Sequence, residues 1–224
     1  MTPRFIASEG EPLIRWNWLS THWDDIGERS QQHLLLTAIS FFAGLIIASL
    51  LASIARRWRW TATPITFFTT ILYTVPSIAL FAALIPILGT GLVVPAVALT
   101  TYSLVVLTPF LIVAFDEVSP ATIEAADAMG MTRAQRLFLV ELPLALPSIF
   151  AGLRITAVTL IGLVTVGGLF GLGGFGNLID DGLTRDFPTP IVVGVLASVL
   201  MAMATDLILV GIAAAISPWR RAKP

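Results

Sequence analysis

Long apolar segments are the feature of this sequence that most limits the folds it can adopt. Five segments of 20 or more mostly apolar residues lie between Leu34 and Ile216. A helix rises about 1.5 Å per residue, so about 20 residues cross the roughly 30 Å of hydrocarbon in a bilayer. The chain is 12% charged, whereas soluble domains carry about 25% charged residues. The sequence therefore predicts an all-α integral membrane protein with five transmembrane helices.

Short polar segments divide the apolar pattern and set the limits of the predicted spans. The spans cover approximately 34–55, 64–87, 92–115, 147–170 and 191–216. Residues 1–33 lack a continuous apolar core and contain three tryptophans, which favours an extracytoplasmic or interfacial segment over a cleaved signal peptide. The predicted organisation is this N-terminal segment, a transmembrane domain over 34–216 and a tail over 217–224.

The distribution of charge indicates an orientation, because cytoplasmic loops are enriched in Lys and Arg. If the spans alternate, the segments after the first, third and fifth spans share one side. Their basic residues are Arg56, Arg57, Arg59, Arg133, Arg136, Arg220, Arg221 and Lys223. The acidic residues of the other side are Glu9, Glu11, Asp24, Asp25, Glu28, Asp180, Asp181 and Asp186. We therefore expect the N-terminus outside and the tail in the cytoplasm.

The residues that are absent or rare exclude several kinds of site. The chain has no cysteine, its only histidines are His22 and His33, and its only lysine is Lys223. A P-loop needs a lysine beside its glycines, a Ser-His hydrolase needs a histidine at the site, and zinc needs clustered ligands. We therefore expect no metal site and no enzymatic activity of the chain on its own.

A glycine-rich stretch, GLGGFG at 171–176, matches the letters of a dinucleotide-binding fingerprint. The fingerprint has meaning only between a strand and a helix, and here it follows a predicted membrane helix. We interpret Gly171, Gly173, Gly174 and Gly176 as a helix break after the fourth span. Such a break would allow close helix packing or form a mobile outer gate.

The segment 119–143 is charged although apolar spans lie on both sides of it. Ser119 and Pro120 predict a helix start in which the serine side chain accepts a backbone hydrogen bond. Gly130 suits the left-handed residue that ends a helix. The segment's charged residues are Glu124, Asp127, Arg133, Arg136 and Glu141. We predict a helical hairpin with Gly130 at its corner.

The second arm of this hairpin begins with a capping signal and ends with prolines. Thr132, with Gln135 three residues later, predicts a capping box. Pro143 and Pro147 are expected to break the chain before the fourth span. Met129 and Met131 are flexible apolar residues at the corner, and methionines adapt well to an irregular partner groove. Either the hairpin docks on another protein, or it is simply a helical cytoplasmic loop.

The hairpin carries the residues through which this chain resembles a known family, the permease subunits of ABC importers. The matching residues are Glu124, Ala125, Ala126, Gly130, Val140, Leu142 and Pro143. The resemblance implies a type I importer permease fold with five core helices and a cytoplasmic coupling helix that docks on a separate ATPase. The residues it implies for that coupling are Glu124, Ala125, Ala126, Met129, Gly130, Met131 and Arg133.

The same resemblance implies the partners of the chain. A dimer of cytoplasmic ATPase subunits would bind ATP and Mg, and this chain would bind no cofactor. A second permease subunit, either another copy or a related chain, would complete the path. An extracytoplasmic binding protein would deliver substrate, the setting would be the bacterial cytoplasmic membrane, and no nucleic acid would be involved.

The substrate is indicated by three stretches, 72–91, 129–154 and 167–183, which resemble permeases for glycine betaine, carnitine or choline. Methionine permeases share the five-span plan and a similar glycine-rich segment, and are the alternative within the family. Candidate residues of the substrate path are Tyr73, Tyr102 and Asp206, the last of which would otherwise pair with Arg154. An ATP-independent secondary transporter and a purely structural membrane subunit are the alternatives of other classes.

Overall fold

The computed structural model describes residues 13–89 and 91–217, and within them it contains helices and no strand. The helices are α1 (Trp16–Thr21), α2 (Trp23–Arg57), α3 (Ala62–Thr74), α4 (Ser77–Leu88), α5 (Val93–Asp116), α6 (Pro120–Ala128), α7 (Arg133–Arg136), α8 (Leu142–Gly168), α9 (Gly176–Thr184) and α10 (Pro188–Ile216). A 3-10 turn covers Arg59–Thr61, and a π-helical turn covers Leu137–Glu141. The predicted topology residues Glu9, Glu11, Arg220, Arg221 and Lys223 lie outside the described residues.

The long apolar helices agree with the prediction of an all-α membrane protein. Among the described residues, four helical stretches are long and apolar enough to cross a membrane: α2, α5, the continuous stretch Arg133–Gly168, and α10. A fifth span is reached if the bent pair α3 and α4 counts as one.

The first span is part of a helix that begins well before the predicted limit at residue 34. Helix α2 has 35 residues and starts at Trp23. Asp24 and Asp25 lie in its first turn, where carboxylates interact favourably with the helix dipole. Arg29 then pairs with Asp25 one turn away, at 3.2 Å between Nε and Oδ1. These local interactions stabilise helix over polar residues that hydropathy does not assign to a span, so residues 23–33 continue directly into it.

The second predicted span, 64–87, is broken into two helices, α3 and α4. Helices α3 and α4 are bent by 92° where they meet. Pro76 precedes the first residue of α4 and has an extended ψ of 135°. Proline has no backbone N–H and disfavours helical geometry in the residue before it, so the break falls here. Hydropathy does not reveal this change of direction, because α3 and α4 are both apolar.

The prediction that Pro143 and Pro147 break the chain before the fourth span is wrong. Both prolines lie within α8, and the helical path from Arg133 to Gly168 is continuous. Pro143 is the second residue of α8, near the start of a helix that follows the π-helical turn. Wider turns and neighbouring helices let membrane helices retain proline, because they adjust the freed backbone groups.

The described chain divides into two compact units, each assembled from separate segments. The first unit comprises the residues up to Phe41, then Val75–Thr100 and Thr159–Met203; the second comprises Phe42–Thr74, Thr101–Val158 and the residues from Ala204. The first is packed around Phe81 and Leu160, both fully buried. The second buries a row of small residues on α2 against leucines of α5: Ala48, Ala52, Ala55, Leu107 and Leu111. Small residues allow this close approach of helices in membranes.

Candidate functional site

The first arm of the hairpin is α6, which ends in a Schellman motif. Ser119 is the N-cap and Pro120 the first helical residue, but the Ser119 side chain makes no capping hydrogen bond, so that part of the prediction is wrong. At the other end Gly130 has a φ of +77°. Its N–H donates to the Asp127 carbonyl at 3.0 Å, and the Met131 N–H donates to the Ala126 carbonyl at 3.2 Å. These two bonds define the motif, and only glycine adopts such a φ without strain.

The second arm begins with the predicted capping box. The Gln135 N–H donates to Thr132 Oγ1 at 3.3 Å, and the Thr132 N–H donates to Gln135 Oε1 at 2.8 Å. Helix α7 is only one turn long and passes directly into the π-helical turn that ends at Glu141. Single π-helical turns occur frequently at functional sites. This turn places the buried carboxylate of Glu141 at the junction between the hairpin and the fourth span.

Glu141 is the centre of an ion-pair network that the sequence analysis did not predict. Its side chain is only 4% exposed. Arg56, in the last turn of α2, donates through Nη2 to Oε2, and Arg136 donates through Nε to Oε1 at 2.8 Å. Arg136 also donates through Nη1 to both oxygens of Asp127 at 2.6 Å. The guanidinium of Arg56 lies 4.1 Å from the centroid of the Phe115 ring. The network therefore joins both arms of the hairpin to the end of the first span.

The exposed surface of the hairpin is made by residues outside this network. Glu124 and Arg133 are exposed, and neither forms a hydrogen bond or ion pair within the described part of the chain. Ala125, Met129 and Gly130 are also exposed, whereas Met131 is half-buried. Ala126 is buried and packs inward, so its side chain is not part of the surface. The surface thus combines two unpaired charges with a flexible apolar residue at the corner.

Two further apolar residues near the hairpin were missed by the sequence analysis. Phe138 and Leu139 lie in the π-helical turn and are both exposed. They extend the exposed apolar surface beyond Met129. Their exposure could not be predicted from the sequence, because they lie in a run of apolar residues and hydropathy alone assigns such a run to a membrane span.

The glycine-rich stretch lies between α8 and α9, where three of its glycines have positive φ. The values are +71° for Gly171, +102° for Gly173 and +76° for Gly174. Gly176 starts α9 and contacts the end of α8: a Cβ on Gly168 would lie 2.4 Å from the Gly176 Cα. The structure therefore contains both a helix break and a close helix contact made through glycine.

Side chains of α2 hold this break in place. The Phe175 N–H donates to His33 Nδ1 at 3.3 Å, and the Gly174 N–H donates to Gln32 Oε1 at 3.4 Å. The other ring nitrogen of His33, Nε2, is 3.0 Å from the Ile161 carbonyl and is the donor to it. His33 is fully buried. Its role was not predicted, because a lone histidine before an apolar run gives no sign of its partners.

The three candidate residues for a substrate path differ in their surroundings. Tyr73 is exposed and Tyr102 is buried. Asp206 pairs with Arg154 in a bidentate contact, at 2.7 Å between Oδ1 and Nε and 2.8 Å between Oδ2 and Nη2. No group of three or more residues suited to holding a metal ion occurs in the described ranges.

Comparison with known proteins places these features in a family context. Residues 40–222 match the family model described as "Binding-protein-dependent transport system inner membrane component". The chain is 38% identical over 183 residues to the osmoprotectant import permease protein OsmW of Salmonella typhimurium, covering 80% of this chain and 85% of that protein. It is 32% identical over 192 residues to the glycine betaine/carnitine/choline transport system permease protein OpuCB of Bacillus subtilis, covering 86% of this chain and 88% of that protein.

The fold is similar to that of a solved importer. An inward-facing structure of the MetNI methionine ABC transporter aligns with a TM-score of 0.73 and 24% identity. The alignment covers 85% of this chain and 95% of the solved chain. This likeness concerns the fold, and it agrees with the predicted type I importer permease architecture.

Proposed function

This chain belongs to the family of binding-protein-dependent transport system inner membrane components, and we propose on that basis that it carries osmoprotectants such as glycine betaine, carnitine or choline across the membrane. The observation that supports this substrate class is the sequence similarity to osmoprotectant permeases over 80% or more of the chain. The solved methionine importer is only 24% identical to this chain. That similarity supports the fold and gives no support to methionine as the substrate.

The hairpin 119–143 is the part of the chain that contacts the ATPase in this proposal. A docking surface needs groups that the rest of the chain leaves unpaired, and Glu124 and Arg133 are such groups within the described residues. Met129 supplies an adaptable apolar contact between them. ATP and Mg bind to the separate ATPase subunits, which hydrolyse ATP. The chain itself transmits the resulting movement and catalyses no reaction.

The network at Glu141 gives this contact a rigid route into the membrane. Arg136 and Asp127 tie the two arms of the hairpin together, and Arg56 ties them to α2. A displacement of the hairpin by the ATPase therefore moves the end of the first span with it. Alternating access in transporters is largely a rigid-body movement of one group of helices against another.

The remaining partners follow from the same proposal. The chain pairs with a second permease subunit, a homologous or identical chain, and with an extracytoplasmic binding protein. The N-terminus lies outside and the tail in the cytoplasm, which places the arginines at the end of α2 on the side of the ATPase. A secondary transporter would need ionisable groups in several spans, whereas α8 and α10 carry one charged residue each and α5 carries only Asp116 at its end.

Uptake measurements in cells without their own betaine and methionine transporters test the proposed substrate. The cells would express this chain with its ATPase and binding protein and receive labelled glycine betaine or labelled methionine. We expect betaine uptake that depends on this chain. Uptake of methionine alone would contradict the osmoprotectant proposal but would leave the family assignment unchanged.

Two substitutions with matched controls test the role of the hairpin. Gly130→Val forces a β-branched residue into a φ of +77°, which costs roughly 1–2 kcal/mol of strain or more. Gly211→Val is the control, because the Cβ of a residue there meets no atom within 4 Å and the φ is not positive. Glu124→Lys reverses an exposed charge of the hairpin, and Asp180→Lys reverses an exposed charge elsewhere.

We expect Gly130→Val and Glu124→Lys to abolish uptake and ATPase co-purification while membrane insertion persists. The two controls should retain ATPase co-purification. If both hairpin variants still bind the ATPase and transport normally, the hairpin is not the coupling element.

A further inference from the structure

The Arg154–Asp206 pair lies within two membrane helices that otherwise carry no charge. Arg154 is the only charged residue of α8, which runs from Leu142 to Gly168. Asp206 is the only charged residue of α10, which runs from Pro188 to Ile216. Both helices are long and apolar enough to span a membrane. The pair therefore lies at membrane depth, several turns from either end of both helices.

The pair is accessible from outside the chain even though its members bind each other. The Arg154 and Asp206 side chains are 42% and 31% exposed. Neighbouring side chains on the same helices, Val158 and Leu207, are exposed as well. An ion pair that served only to hold two helices together would be expected between them and away from the surface.

The hydrogen-bonding capacity of Arg154 is only partly used. A guanidinium group has five N–H donors, and the contact with Asp206 uses Nε and one hydrogen of Nη2. The other donors have no partner within the described residues. Each Asp206 oxygen likewise keeps acceptor capacity. The outer edge of the pair is therefore an unsatisfied polar surface.

Hydrocarbon cannot satisfy such a surface. Lipid offers no hydrogen-bonding groups, and charged side chains within membranes face a bundle interior or a water-filled cavity. A dry contact with a second permease subunit would remove the pair from lipid but would require matching acceptors for the remaining N–H groups. Water in a translocation path satisfies them without any such matching.

We propose that the Arg154–Asp206 pair faces the translocation path and that the free N–H edge of Arg154 binds the carboxylate of a zwitterionic substrate in transit. This inference rests on the proposed function. Guanidinium groups bind carboxylates in a fork geometry, and Asp206 leaves an anionic group beside it for the cationic end of the same molecule. Glycine betaine and carnitine carry both groups, whereas choline has a cationic group and no carboxylate. The site thus discriminates by the carboxylate.

Uptake of three labelled compounds by the complete importer tests the chemical part of this proposal. Arg154→Gln removes the charge and keeps a side chain that donates hydrogen bonds. We expect betaine and carnitine uptake to fall roughly tenfold or more, which corresponds to the loss of one charge-assisted hydrogen bond. Choline uptake should fall less, because choline has no carboxylate. The double variant Arg154→Gln with Asp206→Asn restores charge balance and should remain impaired for betaine. Equal losses for all three compounds, recovered in the double variant, would show a structural tie and overturn the proposal.

Water accessibility tests the location independently, and the chain has no native cysteine to interfere. Val158→Cys places a thiol one turn from Arg154, and Ile46→Cys places one at an exposed apolar position of α2. A charged methanethiosulfonate reagent should modify Cys at 158 during transport, more slowly when betaine is present, and should modify Cys at 46 weakly. An unreactive thiol at 158 in a transporting complex would overturn the proposal. Absence of betaine uptake by the unsubstituted chain would instead reject the proposed function itself.

Discussion

Replacing Glu141 by glutamine is the most direct test of how the hairpin is joined to the membrane helices. The substitution keeps the size of the side chain and removes its charge. Glu141 is 4% exposed and accepts from both Arg56 and Arg136. The amide oxygen of glutamine can still accept one of these hydrogen bonds, but its NH₂ group faces the other arginine and repels it. We expect transport to fall strongly while the hairpin surface at Glu124 and Met129 stays intact.

The magnitude follows from the burial of the three side chains. Breaking a buried ion pair by removing one partner typically costs 3–5 kcal/mol of stability, since a charge remains uncompensated. Here the arginines are partly exposed, 30% for Arg56 and 24% for Arg136, so water reaches them. Arg136 also keeps its contact with Asp127. We therefore expect a loss of about 2 kcal/mol for Glu141→Gln, below the buried limit.

The assay combines thermal unfolding of the purified complex with uptake and ATPase co-purification. Glu28→Gln is the matched control: Glu28 is exposed on α2 and accepts a hydrogen bond from Gln32 at 2.9 Å. A surface change of this kind should alter stability by less than about 0.5 kcal/mol. Glu141→Gln should keep the ATPase bound but lower the number of substrates moved per ATP hydrolysed.

A double-mutant cycle with Arg56→Gln separates a specific link from general damage. If Glu141 and Arg56 act as a pair, the double variant should cost clearly less than the sum of the single variants. Additive costs, or wild-type uptake by Glu141→Gln with a stability change below about 0.5 kcal/mol, would refute the idea that this network carries the coupling.

Three further predictions concern packing, a buried histidine and orientation. Gly176→Ala should prevent stable accumulation of the protein, because the added Cβ would lie 2.0 Å from the Thr165 carbonyl oxygen. Gly162→Ala should be tolerated, because a Cβ there meets no atom within 4 Å. Expression level and thermal unfolding would show the difference between the two variants. His33→Leu should cost about 1–3 kcal/mol in thermal unfolding, because the Phe175 N–H loses its acceptor inside the protein, and an unchanged unfolding temperature would contradict this. Protease added to intact cells should not cleave at the exposed Arg57, and cleavage there from outside would reverse the proposed orientation.

Features that depend on a few neighbouring residues were predictable from the sequence. Gly130 has the positive φ expected at the end of a helix, and Thr132 with Gln135 forms the expected capping box. The apolar spans at α5 and α10 also lie where hydropathy places them. In each case the decisive interactions are within one turn of the chain, or between the chain and lipid.

Features that depend on distant residues were not predictable. The partners of Glu141 include Arg56, 85 residues away in the chain. The contact between His33 and Phe175 joins residues 142 positions apart. The bend at Pro76 had a visible cause, but an apolar scan treats both halves of a bent span alike. Pro147 shows the opposite error, since a residue that usually ends helices lies inside α8.

The π-helical turn before α8 has a consequence for every residue that follows it. A π-helical turn contains about one residue more than an α-helical turn, and one residue corresponds to about 100° of rotation around a helix axis. Leu137–Glu141 therefore sets the rotational phase of α8 relative to the hairpin. Deletion of a single residue there would leave both elements helical yet turn a different side of α8 toward α10, separating Arg154 from Asp206. An insertion or deletion of one residue at this junction would therefore change which side of α8 faces α10 while the hairpin stays the same.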